Sequence, residues 1–250
     1  MKNLLKQKNN LMQIKKKYKF AWITIFSEEL CEIYCSFPFY GIIIDLEHSS
    51  ITESQAISLI RIIQLYKKKA YVRVASKKSE NLKKVLDFGA DGIIVPDIKS
   101  KQDCISVIND MYYANIGNRG VGLHRANEYG NKFEKYFKPI SNKVIFIAMI
   151  ESQEAYENID EIMSLDKVKC LMIGPYDLSS SLGDAGNFNS KKFKEIIKSI
   201  KLKSKNKKKL LGMHLINPNK SDIKDNSKDF SFLIYSLDTV LFNRSIKELF

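Results

Sequence analysis

The stretch GIIIDLEHSS, residues 41–50, places three ionisable side chains directly after a run of isoleucines. Asp45, Glu47 and His48 follow what reads as a buried strand, and His48 is one of only three histidines in the chain. One interpretation is structural, because acidic residues favour the first turn of a helix and a serine or threonine among residues 49–52 would cap it. A carboxylate and an imidazole at a strand end are also groups that move protons in enzymes. The stretch is therefore a candidate catalytic site.

Three further charged residues stand at the ends of predicted strands. Arg73 interrupts the apolar run AYVRVA, Glu151 follows VIFIAMI, and Asp177 lies in IGPYDLSSSLG. Glu151 and Asp177, taken singly, also fit the role of helix-start acids. Arginine occurs at only five positions in this lysine-rich chain, so an arginine inside a strand indicates a need for its planar fork. Because catalytic groups gather at the C-terminal ends of barrel strands, we predict that these residues meet those of 41–50.

Glu151 and Asp177 are the candidate metal ligands. Two carboxylates without cysteine or clustered histidine suit a hard cation, and Mg²⁺ is typically held by one or two carboxylates with water and substrate oxygens. The cysteines predict no zinc site, because the first pair, four residues apart, has no second ligand pair near it in sequence. Reduced, partly buried thiols are expected instead at Cys31, Cys35, Cys104 and Cys170.

The bulk composition argues against two classes of partner. The chain has 250 residues and a net charge of +13, but arginine accounts for five of the 41 basic residues, so 41 − 5 = 36 are lysines, scattered through helix ends and loops. It has no zinc-finger or RNP-type motif, so we predict no nucleic-acid partner. No apolar run reaches the roughly 18 residues of a membrane span, and the N-terminus lacks a secretory apolar block. We therefore predict a cytoplasmic protein with no membrane partner.

Short β-branched runs alternate with helix-length amphipathic segments. The predicted strands are residues 21–26, 41–45, 70–75, 91–96, 144–150, 169–174, 210–215 and 230–236. The predicted helices are residues 27–37, 52–67, 79–88, 100–114, 152–163, 190–203, 218–224 and 239–249. Eight such units predict an α/β fold, a (β/α)₈ TIM barrel. A doubly wound open sheet is the alternative, but it would need a phosphate-binding glycine turn where FSEEL follows the first strand.

No linker or internal repeat divides the chain. We predict a single barrel domain over residues 1–250, with a basic N-terminal segment at about 1–18. One connection, residues 115–142, is too long for a plain βα unit, and long structured loops in barrels usually belong to the active-site face. His124 and Arg125 within it are therefore further candidates for contacting a carboxylate or hydroxyl of a substrate. A structural role for Arg125 is the alternative.

Five motifs together resemble the HpcH/HpaI aldolase family, the metal-dependent class II pyruvate aldolases of the phosphoenolpyruvate/pyruvate barrel superfamily. They are IIIDLEHSS, YVRVASKKSENLKKVLDFGADGIIVPDIKS, NRGVGLHRANEYG, AMIESQEAYENIDEIMSLDKVKCLMIGPYDLSSSLG and LLGMHLINP. The resemblance extends from about Trp22 to about Asp238, and the last long block is its most specific part. It implies a barrel enzyme that forms homo-oligomers, trimers or dimers of trimers, with active sites near subunit contacts.

The resemblance also implies a role for each strand-end residue. Glu151 and Asp177 would bind the divalent metal, Mg²⁺ in the first place and Mn²⁺ or Co²⁺ as alternatives. Arg73 would contact the keto oxygen, and Asp45 with His48 would form the proton-handling dyad. Backbone N–H groups around Tyr176 and Asp177 would hold the substrate carboxylate. The substrate-binding candidates are therefore Arg73, Gly174, Pro175, Tyr176 and Asp177, and Glu47 is a further site candidate.

The implied reaction is cleavage or formation of a 4-hydroxy-2-oxo acid from pyruvate and an aldehyde. Cleavage leaves a pyruvate enolate, whose charge a divalent cation and Arg73 would stabilise. His48 would remove the proton of the 4-hydroxyl group while Asp45 orients its imidazole. A Schiff-base mechanism is disfavoured, because the only lysine in the candidate strands, Lys169, stands at the wrong end of its strand.

The sequence departs from the family pattern at Met149, where many relatives carry glutamine. This change removes a polar group behind the metal ligands and affects either metal affinity or substrate preference. Two other functions remain open: an acyl-CoA lyase of the same superfamily, and a non-catalytic scaffold barrel. The intact set of strand-end residues argues against the scaffold.

Overall fold

Eight parallel strands form a closed barrel. The computed structural model describes residues 12–13, 16–137 and 143–250, so most of the predicted basic N-terminal segment lies outside them. The strands are β1 (Tyr18–Ile23), β2 (Gly41–Asp45), β3 (Lys69–Arg73), β4 (Gly92–Val95), β5 (Ile145–Ile150), β6 (Cys170–Ile173), β7 (Leu210–Leu215) and β8 (Phe232–Tyr235). They pair in sequence order, and β8 closes onto β1. The predicted (β/α)₈ TIM barrel is confirmed, and the open-sheet alternative is wrong.

Helices surround the barrel. The described α-helices are α1 (Glu28–Ser36), α2 (Glu53–Leu65), α3 (Ser79–Asp87), α4 (Lys101–Met111), α5 (Phe133–Phe137), α6 (Gln153–Glu157), α7 (Ile159–Ser164), α8 (Pro175–Ser181), α9 (Lys191–Asn206), α10 (Lys220–Asp229) and α11 (Asp238–Lys247). The predicted helix at 152–163 is interrupted at Asn158, and β1 begins at Tyr18, three residues before the predicted start. In the part of the chain that the structure describes, no helix has the length and apolar character needed to cross a membrane.

The start of α2 decides how the acidic residues before it are interpreted. Thr52 caps this helix: its hydroxyl accepts from the Gln55 N–H at 3.3 Å, and the Gln55 side chain accepts from the Thr52 N–H at 2.9 Å. This reciprocal capping box fixes the first helical residue as Glu53. Asp45 and Glu47 therefore precede the cap by several residues and are not first-turn acids.

The barrel interior is built in layers of four side chains. One layer can be traced through the paired residues of neighbouring strands. One step passes from a residue to its partner on the next strand, on to that residue's partner on the strand after, and then two residues toward the C-terminal end of that strand. Four such steps return to the starting residue. The members of this layer are Trp22, Arg73, Met149 and His214. The total advance of eight residues is the shear expected of an eight-stranded barrel. The layer beneath, from the even-numbered strands, is apolar and consists of Ile43, Ile94, Met172 and Ile234. Arg73 and His214 thus lie in the layer directly above an apolar one.

The outer faces of the strands pack against the helices. All five residues of β2 are buried, which explains why its sequence is continuously apolar up to Asp45. The four cysteines are free and buried, three of them in this packing and Cys170 inside the barrel, which confirms the prediction of unpaired thiols.

The described part of the long connection before β5, residues 115–137, lies at the other end of the barrel from the mouth. His124 Nδ1 lies 3.1 Å from the Asp87 carbonyl oxygen, and Arg125 Nη1 donates to the Phe88 carbonyl at 2.9 Å. These carbonyls belong to the C-terminal end of α3, where cationic and N–H donors satisfy unpaired helix carbonyls. The prediction that this connection belongs to the active-site face is wrong. It follows α4 and leads into a strand, and such loops lie at the N-terminal ends of barrel strands.

Candidate active site

Asp45 and Arg73 form a buried two-pronged ion pair at the mouth. Parallel pairing of β2 with β3 sets the two residues side by side. Arg73 Nε donates to Asp45 Oδ1 at 2.8 Å, and Nη2 donates to Oδ2 at 2.6 Å. The two side chains are only 1% and 8% exposed, respectively. A fork-to-fork contact in such dry surroundings fixes the position of the guanidinium and uses two of its five N–H donors.

Asp45 is held in its ionised form. Burial alone would raise its pKa, but hydrogen bonds and charge from Arg73 outweigh burial and leave the pKa below its ordinary value. Backbone N–H groups of Glu47 and His48 contribute to this lowering, at 3.0 and 3.4 Å from Oδ1. Asp45 is therefore a fixed negative charge whose oxygens are already committed.

The expected hydrogen bond between Asp45 and the His48 imidazole is not formed. The Asp45 carboxylate is occupied by Arg73 and by backbone amides. The His48 side chain is instead 68% exposed, and its Nε2 lies 3.8 Å from Glu47 Oε2. The physical reason is that a buried guanidinium needs a carboxylate more than a solvated imidazole does. Glu47, rather than Asp45, is the acidic neighbour of the imidazole.

Glu47 lies between Arg73 and the solvent. Its Oε2 is 2.8 Å from Arg73 Nη1, and within the described residues this buried oxygen has no hydrogen bond of good geometry. Burial raises the pKa of Glu47, the positive charges of Arg73 and His48 lower it, and the negative charges of Asp45 and Asp177 raise it further. Glu47 therefore belongs to the charged cluster at the mouth.

Glu151 is placed on the far side of the mouth, after β5. Its Oε1 accepts a hydrogen bond from the Asp97 backbone N–H at 2.6 Å. Gly174 faces it closely, because a Cβ atom there would lie 3.1 Å from Glu151 Oε2. Burial raises the pKa of Glu151 to about 7, with further increases from the negative charges of Glu47 and Asp177. Glu151 therefore carries a carboxylate whose charge is poorly compensated by the protein.

Asp177 lies in the first turn of α8, which begins directly after β6 and Gly174. Pro175 occupies the first helical position, where its fixed φ and missing N–H are tolerated. The side chains of Tyr176 and Asp177 are exposed at the mouth. The first N–H groups of a helix have no partner within it, so this turn offers backbone donors beside the acidic residues.

The donor set at the mouth fits a divalent cation. The negative charges of Glu47 and Asp177 act on Glu151 and raise its pKa, whereas Glu47 is itself paired with Arg73 at 2.8 Å. Uncompensated carboxylate oxygens are the preferred ligands of Mg²⁺. Within the described residues, no three His, Cys, Asp or Glu side chains are already arranged as a complete metal cage. Glu151 and Asp177 are the two that the sequence singled out for this role.

Two site residues were missed in the sequence. The His214 ring stacks on the Trp22 ring, with centroids 4.8 Å apart and planes inclined by 5°. Arg73 Cζ lies 4.9 Å from the Trp22 ring centre. Burial lowers the pKa of His214 to about 4, and its Nε2 lies 3.0 Å from the Ser236 carbonyl, so Nε2 carries the proton. The barrel register predicts this layer once the strands are known.

A cavity of about 550 Å³ opens beside the mouth, over β7. It exists because α10 is strongly polar and buries none of its side chains, so it covers the strand incompletely. Pro175 and Tyr176, which precede Asp177 in α8, line the cavity together with His214. The mouth therefore adjoins space for a small organic molecule, the size range in which ligand pockets fall.

The sequence matches a known protein family over most of its length. The profile of the HpcH/HpaI aldolase/citrate lyase family matches residues 20–226. The chain is 31% identical over 166 residues to the hydroxypyruvate/pyruvate aldolase of Rhizorhabdus wittichii, covering 66% of this chain and 65% of the relative. It is 25% identical over 227 residues to the 2-keto-3-deoxy-L-rhamnonate aldolase of Salmonella gallinarum, covering 90% and 84%. In the former match the chain spans just under two thirds of the relative's length.

Solved structures show the same fold. An HpcH/HpaI aldolase from Desulfitobacterium hafniense superposes with a TM-score of 0.86 at 20% identity, covering 93% of this chain and 91% of that one. The fold follows from this likeness, and the family follows from the match over residues 20–226. The chain belongs to the HpcH/HpaI aldolase/citrate lyase family.

Proposed function

We propose that the protein is a divalent-metal-dependent carbon–carbon lyase that cleaves or forms a 4-hydroxy-2-oxo acid from pyruvate, or a close 2-oxo acid, and an aldehyde. The observation that carries the proposal is the buried Arg73 fork facing the acidic residues Glu151 and Asp177 across one barrel mouth. The names of the relatives support it, since they include a hydroxypyruvate/pyruvate aldolase and a 2-keto-3-deoxy-L-rhamnonate aldolase.

Arg73 binds the oxygen on which negative charge develops. Cleavage next to a ketone leaves an enolate, so a donor that is fixed before the reaction lowers the barrier without reorganising. Asp45 takes two N–H donors and holds the guanidinium in place. Asp45 leaves the second N–H of Nη2 and the N–H groups of Nη1, which lies 2.8 Å from Glu47 Oε2, and these donors would serve the keto oxygen. A lysine at this position would supply charge without the fork.

His48 is the group that takes the proton of the 4-hydroxyl. Its imidazole is accessible from the mouth and has Glu47 as its acidic neighbour at 3.8 Å. The nearby carboxylate stabilises the imidazolium that forms when the ring accepts the proton. Asp45 acts on the reaction through Arg73, and this assignment replaces the dyad expected from the sequence.

Glu151 and Asp177 would hold the metal ion, with Mg²⁺ as the first choice and Mn²⁺ or Co²⁺ as alternatives. When bound, the ion supplies electrophilic stabilisation of negative charge on substrate oxygens. The backbone N–H groups of Tyr176 and Asp177 would bind the substrate carboxylate, because Pro175 has no N–H and the Gly174 N–H already donates to the Ile150 carbonyl at 3.2 Å. The adjoining cavity leaves room for the aldehyde part of the substrate.

A retro-aldol screen tests this function. The protein is incubated with several 4-hydroxy-2-oxo acids in Mg²⁺, and pyruvate release is measured with lactate dehydrogenase. We expect activity that EDTA abolishes and Mg²⁺ restores, and we expect Glu151→Gln and Asp177→Asn to behave like the chelated enzyme. Full activity in EDTA, or covalent trapping of substrate on a lysine by borohydride, would exclude the metal mechanism.

We further propose a cytoplasmic homo-oligomer, a trimer or hexamer. The described surface supports association, because the C-terminal helix α11 and the residues after it expose large apolar side chains. Phe242 is 67% exposed and Leu249 80% exposed. Sedimentation velocity of the full chain and of the double variant Phe242→Ser, Leu249→Ser tests this. A monomer at all concentrations for the unaltered chain would contradict it.

A further inference from the structure

The hydrogen bonds to Asp45 fix the position of the Arg73 guanidinium but not the tilt of its plane. The two bonds to Asp45 hold one edge of the guanidinium, at 2.8 and 2.6 Å. A planar group held along one edge still tilts about that edge, because hydrogen-bond directions at carboxylate oxygens are broadly distributed. Nη1, near Glu47, lies away from the Asp45 contact. Something must therefore support the face of the guanidinium if its remaining donors are to keep one direction.

The face of the guanidinium rests on Trp22. Arg73 Cζ lies 4.9 Å from the centre of that ring, within the range of a cation–π contact, and tryptophan is the strongest partner for such a contact. The indole N–H of Trp22 is buried and has no hydrogen-bond partner within the described residues. A buried unpaired donor is costly, so a phenylalanine would serve better here if only packing mattered. An indole face attracts a guanidinium more strongly than a phenyl ring does, which offsets this cost.

The indole is supported in turn by His214. The two rings are nearly parallel, inclined by 5° at a centroid distance of 4.8 Å. His214 donates through Nε2 to the Ser236 carbonyl at 3.0 Å, which fixes the orientation of the imidazole. The three residues come from β3, β1 and β7 and belong to one layer of the barrel register. The layer therefore links Arg73 to the opposite wall of the barrel through two ring contacts.

We propose that Trp22 and His214 are positioning residues for Arg73: the indole supports the guanidinium face and the imidazole supports the indole, so that the donors left free by Asp45 point to the keto oxygen. The inference rests on the proposed function for its kinetic consequence, but the stack itself is a property of the protein alone. His214 acts here as a ring and takes no part in proton transfer.

Two substitutions of His214 separate the ring from the hydrogen bond. His214→Phe keeps an aromatic ring and loses the donor to Ser236, whereas His214→Gln keeps a donor and loses the ring. We expect kcat for retro-aldol cleavage to stay within about threefold for His214→Phe and to fall about tenfold for His214→Gln. The tenfold loss is smaller than the roughly 10²-fold loss in kcat that follows removal of one oxyanion donor, because the donor is misdirected and not removed. Equal loss in both variants, or no loss in His214→Gln, would overturn the stacking role.

Trp22→Leu tests the contact to Arg73 directly. We expect kcat to fall at least tenfold, and we expect Trp22→Leu to cost little more in an Arg73→Lys background, because residues that act as a unit are non-additive. Phe20→Leu is the matched control, since Phe20 lies two residues earlier on β1, is equally buried, and packs against Tyr71 and Phe232. It should lose thermal stability while kcat per folded molecule is kept. Additive effects of Trp22→Leu and Arg73→Lys would refute the proposal.

A spectroscopic measurement tests the stack without catalysis or metal. The chain has only five arginines, so the Nε–H signal of Arg73 can be assigned in a ¹⁵N spectrum by comparison with Arg73→Lys. We expect Trp22→Leu and His214→Gln to shift this signal and to speed its exchange with water, and Phe20→Leu to leave it in place. An unmoved signal in Trp22→Leu would exclude the stack. If the unaltered protein cleaves no 4-hydroxy-2-oxo acid, the proposed function fails while this measurement still decides the stack.

Discussion

Replacing Glu151 by glutamine should change how the stability of the metal-free protein depends on pH. Burial and two neighbouring carboxylates raise the pKa of Glu151 from 4.5 to about 7. A carboxyl whose pKa is raised on folding contributes its full stability below the unfolded value of 4.5, and that contribution is lost as the pH rises through about 7. The difference between the two pKa values corresponds to roughly 3 kcal/mol of the free energy of unfolding. About 2.5 kcal/mol of this is lost between pH 5 and 8.

Glutamine has no charge to lose and keeps an oxygen that can accept from the Asp97 N–H. In EDTA, the unfolding free energy of Glu151→Gln relative to the unaltered protein should therefore rise between pH 5 and 8. The rise should be up to about 2.5 kcal/mol, an upper value because the side chain is only half-buried. Urea unfolding at both pH values, followed by circular dichroism, measures the difference.

Two comparisons make this measurement decisive. Glu154→Gln, which removes an exposed carboxylate three residues away, should leave the pH dependence unchanged. Saturating Mg²⁺ should stabilise the unaltered protein at pH 8 by mass action and should not stabilise Glu151→Gln. If the stability difference between the unaltered protein and Glu151→Gln is the same at pH 5 and pH 8, the reasoning about Glu151 is refuted.

Three other predictions concern neighbouring residues of the mouth. Arg73→Lys should lower kcat on the order of 10²-fold with an unchanged circular dichroism spectrum, and a near-normal rate would make the residue structural. Asp45→Asn should destabilise the protein by about 3 kcal/mol in urea, because a buried guanidinium loses its charged partner. Its effect on kcat should be non-additive with Arg73→Lys and additive with His48→Ala, and the opposite pattern would restore the dyad. Met149→Gln, which introduces the residue common in relatives, should tighten Mg²⁺ binding in isothermal titration, and unchanged affinity would exclude a metal-linked role for this position.

Much of the fold follows from the sequence because parallel strands covered on both faces are continuously apolar. β2 and β7 occur with the predicted bounds: Gly41 and Asp45 delimit the apolar run of β2, and Lys209 precedes that of β7. The start of β1 was missed because Tyr18 and Lys19 extend the ladder against β8 with side chains that do not read as a strand. The partner strand β8 determines where β1 begins, and a local sequence pattern contains no information about a distant partner strand.

The site was predicted in its positions and less well in its contacts. Strand ends identify Asp45, Arg73 and Glu151 because topology alone brings them to one mouth. Burial determines which carboxylate pairs with which cation. Asp45 pairs with the buried Arg73 and not with the exposed His48 for that reason. Trp22 and His214 read as core residues, and only the shear of the closed barrel reveals that they share a layer.

The division of the site between the two halves of the barrel has a consequence for how the protein acquires activity. Asp45 and Arg73 end β2 and β3 in the first half of the barrel, whereas Glu151 follows β5 and Asp177 lies in the helix after β6, in the second half. A nascent or refolding chain in which the two halves have not yet joined has no complete site. The time at which activity appears therefore reports when the halves join. Trp22, the only tryptophan, meets His214 across that same junction. Its fluorescence therefore provides an intrinsic probe of the rate of barrel closure, and this probe needs no substrate.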